Sequence, residues 1–202
     1  MRVLLTAFEP FGEFPHNPSA QLVAALMAQP PRGMTLHAAL LPVDTERVGE
    51  TLEAAMEEAQ PQAVLSFGLA AGRSAMSLER AALNLLDFPI PDNQGVRHEG
   101  RPIIPESPAA YFSTLPLRPM LESLKAAGIP AEISLSAGAY LCNQAFYLLM
   151  HWSERFGVGK AGFVHLPCTP ELSAQLGKLQ PSMSMEVMIR GAEILLAAMG
   201  TD

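Results

Sequence analysis

Val3-Leu4-Leu5-Thr6-Ala7, followed at Asn17-Pro18-Ser19 by an apolar-periodic segment over residues 21–27, decides the fold. A short continuous apolar run suits a strand buried on both faces, and Asn ahead of Pro and Ser opens a helix. The chain therefore starts as strand, loop, helix. The same alternation recurs downstream. A strand over 36–43 precedes a helix over 45–60 that carries Val48, Leu52, Ala55 and Met56 on one face and stops at Pro61. A strand over 63–67 ends at Gly68, and residues 76–85 read as another, with Ser77, Glu79, Arg80 and Asn84 interleaved among apolar neighbours. Then come a helix over 116–127 closed by Gly128, a strand over 131–135, a helix over 141–156, a strand over 162–166 and a last helix over 184–199. Strands alternating with helices give the α/β class, with a largely parallel, twisted sheet between two helical layers.

Length and composition bound the rest. The 202 residues, 49% of them hydrophobic, suffice for one sizeable core, so residues 1–202 are expected to form a single three-layer α/β/α domain. A net charge of −7 without Lys or Arg clusters argues against a nucleic-acid surface. The N-terminal apolar run ends at Glu9-Pro10, too soon for a secretory leader, and no apolar stretch approaches the roughly 20 residues that span a bilayer. The expectation is a soluble, cytoplasmic protein. With two cysteines, Cys142 and Cys168, a disulfide framework is not indicated; buried thiols, metal ligands or a catalytic thiolate remain.

Between Leu86 and Pro119 the periodic pattern breaks at Pro89, Pro91, Pro102, Pro105, Pro108 and Gly95. The segment reads as a long protruding excursion with a hairpin around Asp92-Asn93-Gln94-Gly95, serving the site or an interface. Phe88, Ile103, Ile104 and Phe112 are its candidates for pairing subunits.

The chemistry centres on Ser136-Ala137-Gly138-Ala139-Tyr140-Leu141-Cys142-Asn143, where a strand yields to a small-residue turn and then a helix. A thiol in the first turn of a helix is biased toward thiolate, and the unpaired N–H groups there suit an oxyanion. Equally, Cys142 reads as a small buried hydrophobe. His165 ends a buried strand, and the carboxyl ends of α/β strands are where ligands collect, so the regions after residues 135 and 166 can share a crevice. Taken alone, His165 also reads as a satisfied structural histidine. Glu79, in an otherwise apolar run, is the candidate third group that orients the imidazole; the bland alternative is an ion pair with Arg73 or Arg80. His165 and Cys168 lack a second ligand pair for a metal, and the glycines at 68 and 72 do not meet a dinucleotide fingerprint. No cofactor is indicated.

Taken together these segments resemble the pyroglutamyl peptidase I family, cysteine exopeptidases that remove N-terminal pyroglutamate from peptides. The resemblance rests on Thr6-Ala7-Phe8-Glu9-Pro10-Phe11-Gly12 with Asn17-Pro18-Ser19, on Ser77-Leu78-Glu79-Arg80-Ala81-Ala82-Leu83-Asn84, on Pro91-Asp92-Asn93-Gln94-Gly95 and Phe112-Ser113-Thr114-Leu115-Pro116, on the Cys142 segment, and on Gly162-Phe163-Val164-His165-Leu166-Pro167. It implies a triad of Cys142, His165 and Glu79, and dimers or tetramers of the chain. It also implies that Phe8 and Phe11 enclose the lactam ring, that backbone near Asn17 and Leu69 reads the lactam, and that Leu141 lines the pocket. Without the resemblance, Phe8 and Phe11 read as core. Three positions depart from the family pattern: Ala7 for glycine, Leu69 for glutamine, and Pro89 for an arginine thought to assist at the site. The last leaves open a weakened homologue that binds pyroglutamyl ligands or acts on a related acyl substrate.

Overall fold

The computed structural model describes residues 1–200. In chain order the elements are β1 (Arg2–Phe8), α1 (Pro18–Ala28), β2 (Thr35–Leu41), α2 (Arg47–Ala59), β3 (Ala63–Leu69), β4 (Met76–Glu79), β5 (Ala81–Leu83), β6 (Ala110–Phe112), α3 (Leu117–Ala126), β7 (Ala131–Ser134), α4 (Leu141–Trp152), β8 (Lys160–Leu166), α5 (Pro170–Leu176) and α6 (Met185–Met199).

The main sheet has the order β2-β1-β3-β8-β4-β7. Its first four strands are mutually parallel, while β4 lies antiparallel to β8 and carries β7 parallel to itself. The connection from β3 to β4 spans only residues 70–75, too few for the crossover that a parallel return needs, so β4 comes back in the opposite sense. The sheet is thus largely parallel with a reversed pair at one side.

Period-two alternation sorts the strand residues onto two faces. Val3, Leu5, Leu65, Phe67, Leu78, Val164 and Leu166 pack with α1, α3 and α6. Leu4, Phe8, Val64 and Phe163 pack with α2 and α4. By the same alternation Gly68, Ser77, Glu79 and His165 point to the α4 side, which is therefore where polar chemistry collects.

Three features differ from the sequence reading. The strand expected over 76–85 divides at Arg80, whose N–H bonds Ser134 O at 2.8 Å while its own carbonyl accepts from Ser113 N at 2.9 Å. Beyond it, β5 leaves the main sheet to pair antiparallel with β6. Alternation of residue types continues through both pieces, which is why the pattern reads as one strand. Second, the structure adds α5, a short helix whose signals lie in the sequence: Thr169 caps it by accepting from Leu172 N, Pro170 follows, and Gly177 ends it at φ +62°. Third, the proline-rich excursion lies folded against its surroundings. Leu86 bridges Arg101, Phe88 N donates to His98 O at 2.8 Å and Asp92 N to Val96 O at 3.0 Å, so a loose hairpin does form, with its tip at 92–95. Phe88 is buried and Ile103 and Ile104 are half-buried against the α4 core; of the four apolar side chains expected outside, Phe112 alone is exposed, at 68%.

Candidate active site

His165 stands between Gly68 on β3 and Ser77 on β4 in the ladder. Glu79, two residues along β4 and on the same face, reaches it diagonally, and Nδ1 of His165 lies 2.7 Å from Glu79 Oε1. Both side chains are buried. Arg73, presented by the turn after β3, donates from Nη1 to the same Oε1 at 2.7 Å. One oxygen of Glu79 therefore takes both partners, while Oε2 is buried without one. Glu79 thus contacts both an imidazole and an arginine, the two kinds of partner weighed for it from the sequence.

Burial lowers the pKa of His165; the hydrogen bond and charge of Glu79 oppose that shift and Arg73 reinforces it. A neutral ring with its Nδ1–H donated to the carboxylate has Nε2 free as an acceptor. His165 is in that sense set up as a base.

Cys142 is the second residue of α4. The first helical amide with a backbone acceptor is that of Gln144, bonded to Tyr140 O at 3.0 Å, and no side chain caps the terminus, so the N–H groups around Cys142 stay available. Asn143 anchors this end of the helix: its side chain accepts from Leu83 N at 2.8 Å and donates to the carbonyls of Leu83 (2.8 Å) and Leu85 (3.0 Å). Gly68 supplies the room below. A methyl group there would sit 2.8 Å from Cys142 Sγ, so the thiol rests over the bare backbone next to His165 in the ladder. No hydrogen bond between Sγ and the imidazole is formed among the described residues. Burial, followed by the charge of Glu79, pushes the thiol up to about 12, against the lowering effect of Arg73 and of the helix-start amide. The helix terminus alone thus does not yield the resting thiolate that the sequence suggests.

The strands β4 and β7 explain how these groups meet. The sequence argument lets the regions after residues 135 and 166 share a crevice at the carboxyl ends of their strands, but β7 runs against β8, with β4 between them. Residues 135–140 return the chain to the level of Gly68, and the crevice is shared by that route.

A cavity of about 380 Å³ opens above Cys142 and His165. Phe8, Phe11, Leu69, Leu141 and Asn17, all singled out from the sequence, line it; Glu79 lies behind His165 instead. Phe8 is both wall and core, buried with its ring 6.3 Å from that of Phe163. Phe11 is half-buried between Phe14, at 5.1 Å, and Tyr140, at 6.1 Å. The side chain of Asn17 is spent on structure, accepting from Ser19 N and Oγ and donating to Glu9 O, and its carbonyl accepts from Ala20 N at 3.1 Å. The sequence reading did not assign Phe14, Ile90 or Tyr140 to this wall. Tyr140 is held there by donating to Pro91 O at 2.9 Å and by an edge contact with Phe88. Pro89 also faces the cavity and brings no charge to it.

Comparison with known proteins follows the same lines. A family model described as pyroglutamyl peptidase matches residues 1–201. The chain is 43% identical over 203 residues to a pyrrolidone-carboxylate peptidase of Gloeobacter violaceus, covering 100% of this chain and 98% of that one. It is 42% identical over 200 residues to one of Pyrococcus furiosus, with coverages of 97% and 96%. A solved structure of a mutant pyrrolidone carboxyl peptidase from Pyrococcus furiosus superposes with a TM-score of 0.94 at 40% identity, over 98% of this chain and 97% of that one.

Proposed function

The chain belongs to the pyroglutamyl peptidase family, enzymes that release N-terminal pyroglutamate from peptides, and we propose that it does so through Cys142, His165 and Glu79. Sγ of Cys142 attacks the pyroglutamyl carbonyl as Nε2 of His165 takes the thiol proton, and the developing oxyanion is received by N–H groups at the start of α4. The imidazolium then passes its proton to the departing amine, leaving a thioester. Water, deprotonated by the same ring, hydrolyses the thioester and restores the thiol. Glu79 fixes the ring through Nδ1 and offsets its transient charge. The observation that carries this reading is the 2.7 Å bond between His165 and Glu79, set beside Gly68 where Cys142 comes to rest.

The cavity supports the substrate class. A five-membered lactam has two apolar faces and an amide edge, and aromatic walls with nearby backbone groups at Asn17 and Leu69 suit both. A homodimer or homotetramer is part of the proposal, supported by exposed apolar side chains at Phe112 (68%) and Leu135 (76%). So is a cytoplasmic location, where reducing conditions keep both free thiols reduced. Among the described residues no helix is long and apolar enough to cross a membrane.

The test is release of a chromogenic arylamine from pyroglutamyl-arylamide, with the prolyl analogue as control. Selective release that disappears in Cys142→Ala is expected. Release retained by Cys142→Ala would refute the nucleophile, and none from folded wild type would refute the substrate class.

A further inference from the structure

Arg73 does more than pair with Glu79, for it also lines the cavity. It is the one Lys or Arg side chain that lines the cavity among the described residues, and residue 89 on the same wall is an uncharged proline. Its side chain is 30% exposed and lines the cavity, while Nη1 holds the oxygen of Glu79 that His165 also uses. The turn that presents it is tightly built: Arg73 N donates to Ala70 O at 3.2 Å, and Gly72 adopts φ +89°, a conformation that a side chain would resist.

Resting on the Cys142–His165–Glu79 reading, we infer that Arg73 is the positioning residue of this site: it clamps Glu79 Oε1 and balances its charge, so that His165 stays a neutral acceptor for the Cys142 proton. The physical argument is a charge count. Glu79 with Arg73 is a neutral pair, against which a neutral imidazole is the stable neighbour. Glu79 without Arg73 is a buried, unbalanced carboxylate, and such a group draws a proton onto itself or onto the ring bonded to it. Either outcome occupies the acceptor or loosens the ring. The same positive charge favours the thiolate that forms as the proton leaves Sγ, in agreement with its lowering effect on both Cys142 and His165.

The other titratable or charged groups near the pair do not duplicate this role. Tyr140 is held at the helix start, pushed up to about 12 by burial and by Asp92 and Cys142. Cys168 is buried beyond β8 against Leu69 and Leu172. Glu132 on β7 accepts from Ser77 Oγ at 2.8 Å, and Arg80 lies with Arg118 and Lys125 in a separate surface depression beside β7.

The experiment compares full-length wild type with Arg73→Gln, Arg73→Met and Arg73→Lys, reading kcat and KM for pyroglutamyl-arylamide from about pH 5 to pH 9. Alkylation of Cys142 by iodoacetamide, followed by peptide mass spectrometry, is measured over the same range. Arg73→Gln should lose about tenfold or more in kcat at neutral pH with KM held, and its acid limb should move to higher pH. Arg73→Met, close in reach and uncharged, should behave alike and serves if the glutamine variant does not fold. Arg73→Lys should keep the acid limb in place. Uncharged variants whose loss is equal at every pH, or that lose nothing, would overturn the assignment, as would a lysine variant with the limb of Arg73→Gln. Alkylation separates the two readings: if wild type releases no arylamine but thiol reactivity still shifts with Arg73, the peptidase reading fails and the charge coupling stands.

Discussion

Gly68→Ala is the most direct probe of how the nucleophile is seated. The backbone of Gly68 adopts no conformation reserved for glycine, so the cost is steric: the new methyl would lie 2.8 Å from Cys142 Sγ and 2.8 Å from Cζ of Phe163. Comfortable separations are about 3.5–4.0 Å, so something must give by roughly 1 Å. Phe163 is fully buried, with the rings of Phe8 and Phe146 about it, and cannot retreat. Cys142, half-buried under the cavity, is the group that moves. Overpacking of this size costs about 1–3 kcal/mol, which at about 2–4 °C per kcal/mol lowers Tm by about 2–12 °C. The functional loss should be larger than that suggests, because a nucleophile misplaced by about 1 Å forfeits on the order of 100-fold in rate. Thermal unfolding followed by circular dichroism and kcat for arylamide release at a temperature where both proteins are folded would measure the two effects. A variant that keeps wild-type turnover would show that the thiol does not rest over Gly68.

Three further outcomes follow from the same geometry. Glu79→Gln keeps an acceptor for both His165 and Arg73 but removes the charge and leaves a buried amide N–H₂ where Oε2 has no partner; kcat should fall about 10- to 100-fold with KM held, and unchanged kcat would remove Glu79 from the mechanism. The acid limb of kcat/KM in wild type should fall below the ordinary imidazole value of about 6.5, because burial disfavours the charged ring and so lets it lose its proton at lower pH; a limb at or above that value would contradict the neutral, desolvated His165. Phe112→Glu, at an apolar side chain 68% exposed, should reduce the assembly mass seen by light scattering without lowering Tm by more than a few degrees, and an unaltered mass would exclude Phe112 from any subunit contact.

What the sequence disclosed, and what it withheld, divides along physical lines. Buried strands and amphipathic helices leave a periodic trace, so the layers were legible from runs such as residues 3–7 and 45–60. Strand direction leaves none. Nothing in residues 76–79 or 131–134 announces that they run against β8; only the shortness of the 70–75 connection hints at it. Cys142, His165 and Glu79 could be nominated because a helix start favours a thiolate, a strand's carboxyl end is where ligands collect, and a carboxylate in an apolar run needs a partner. Arg73 could be named only as one of two ion-pair candidates. Its convergence on the oxygen shared with His165 is a fact of three dimensions. Tyr140 and Ile90 escaped for a similar reason: they reach the cavity through a turn and an irregular arm, where spacing has no fixed meaning.

The thiol's protonation decides how the site has to work. A helix terminus and a nearby guanidinium both favour thiolate, yet burial and Glu79 outweigh them and push Cys142 up to about 12. A thiol shifted in that direction rests protonated at neutral pH. In the proposed mechanism the proton leaves as the carbon–sulfur bond forms, which calls for an acceptor that is unprotonated in advance. Desolvation supplies this on the histidine side as well, since the burial that raises the thiol also lowers His165. One environment thus keeps both groups neutral at rest, and ionisation is deferred until a carbonyl in the cavity offers the negative charge a place at the helix start. Pro89 brings no charge to the cavity wall. The cation matters at the carboxylate, and that is where Arg73 stands.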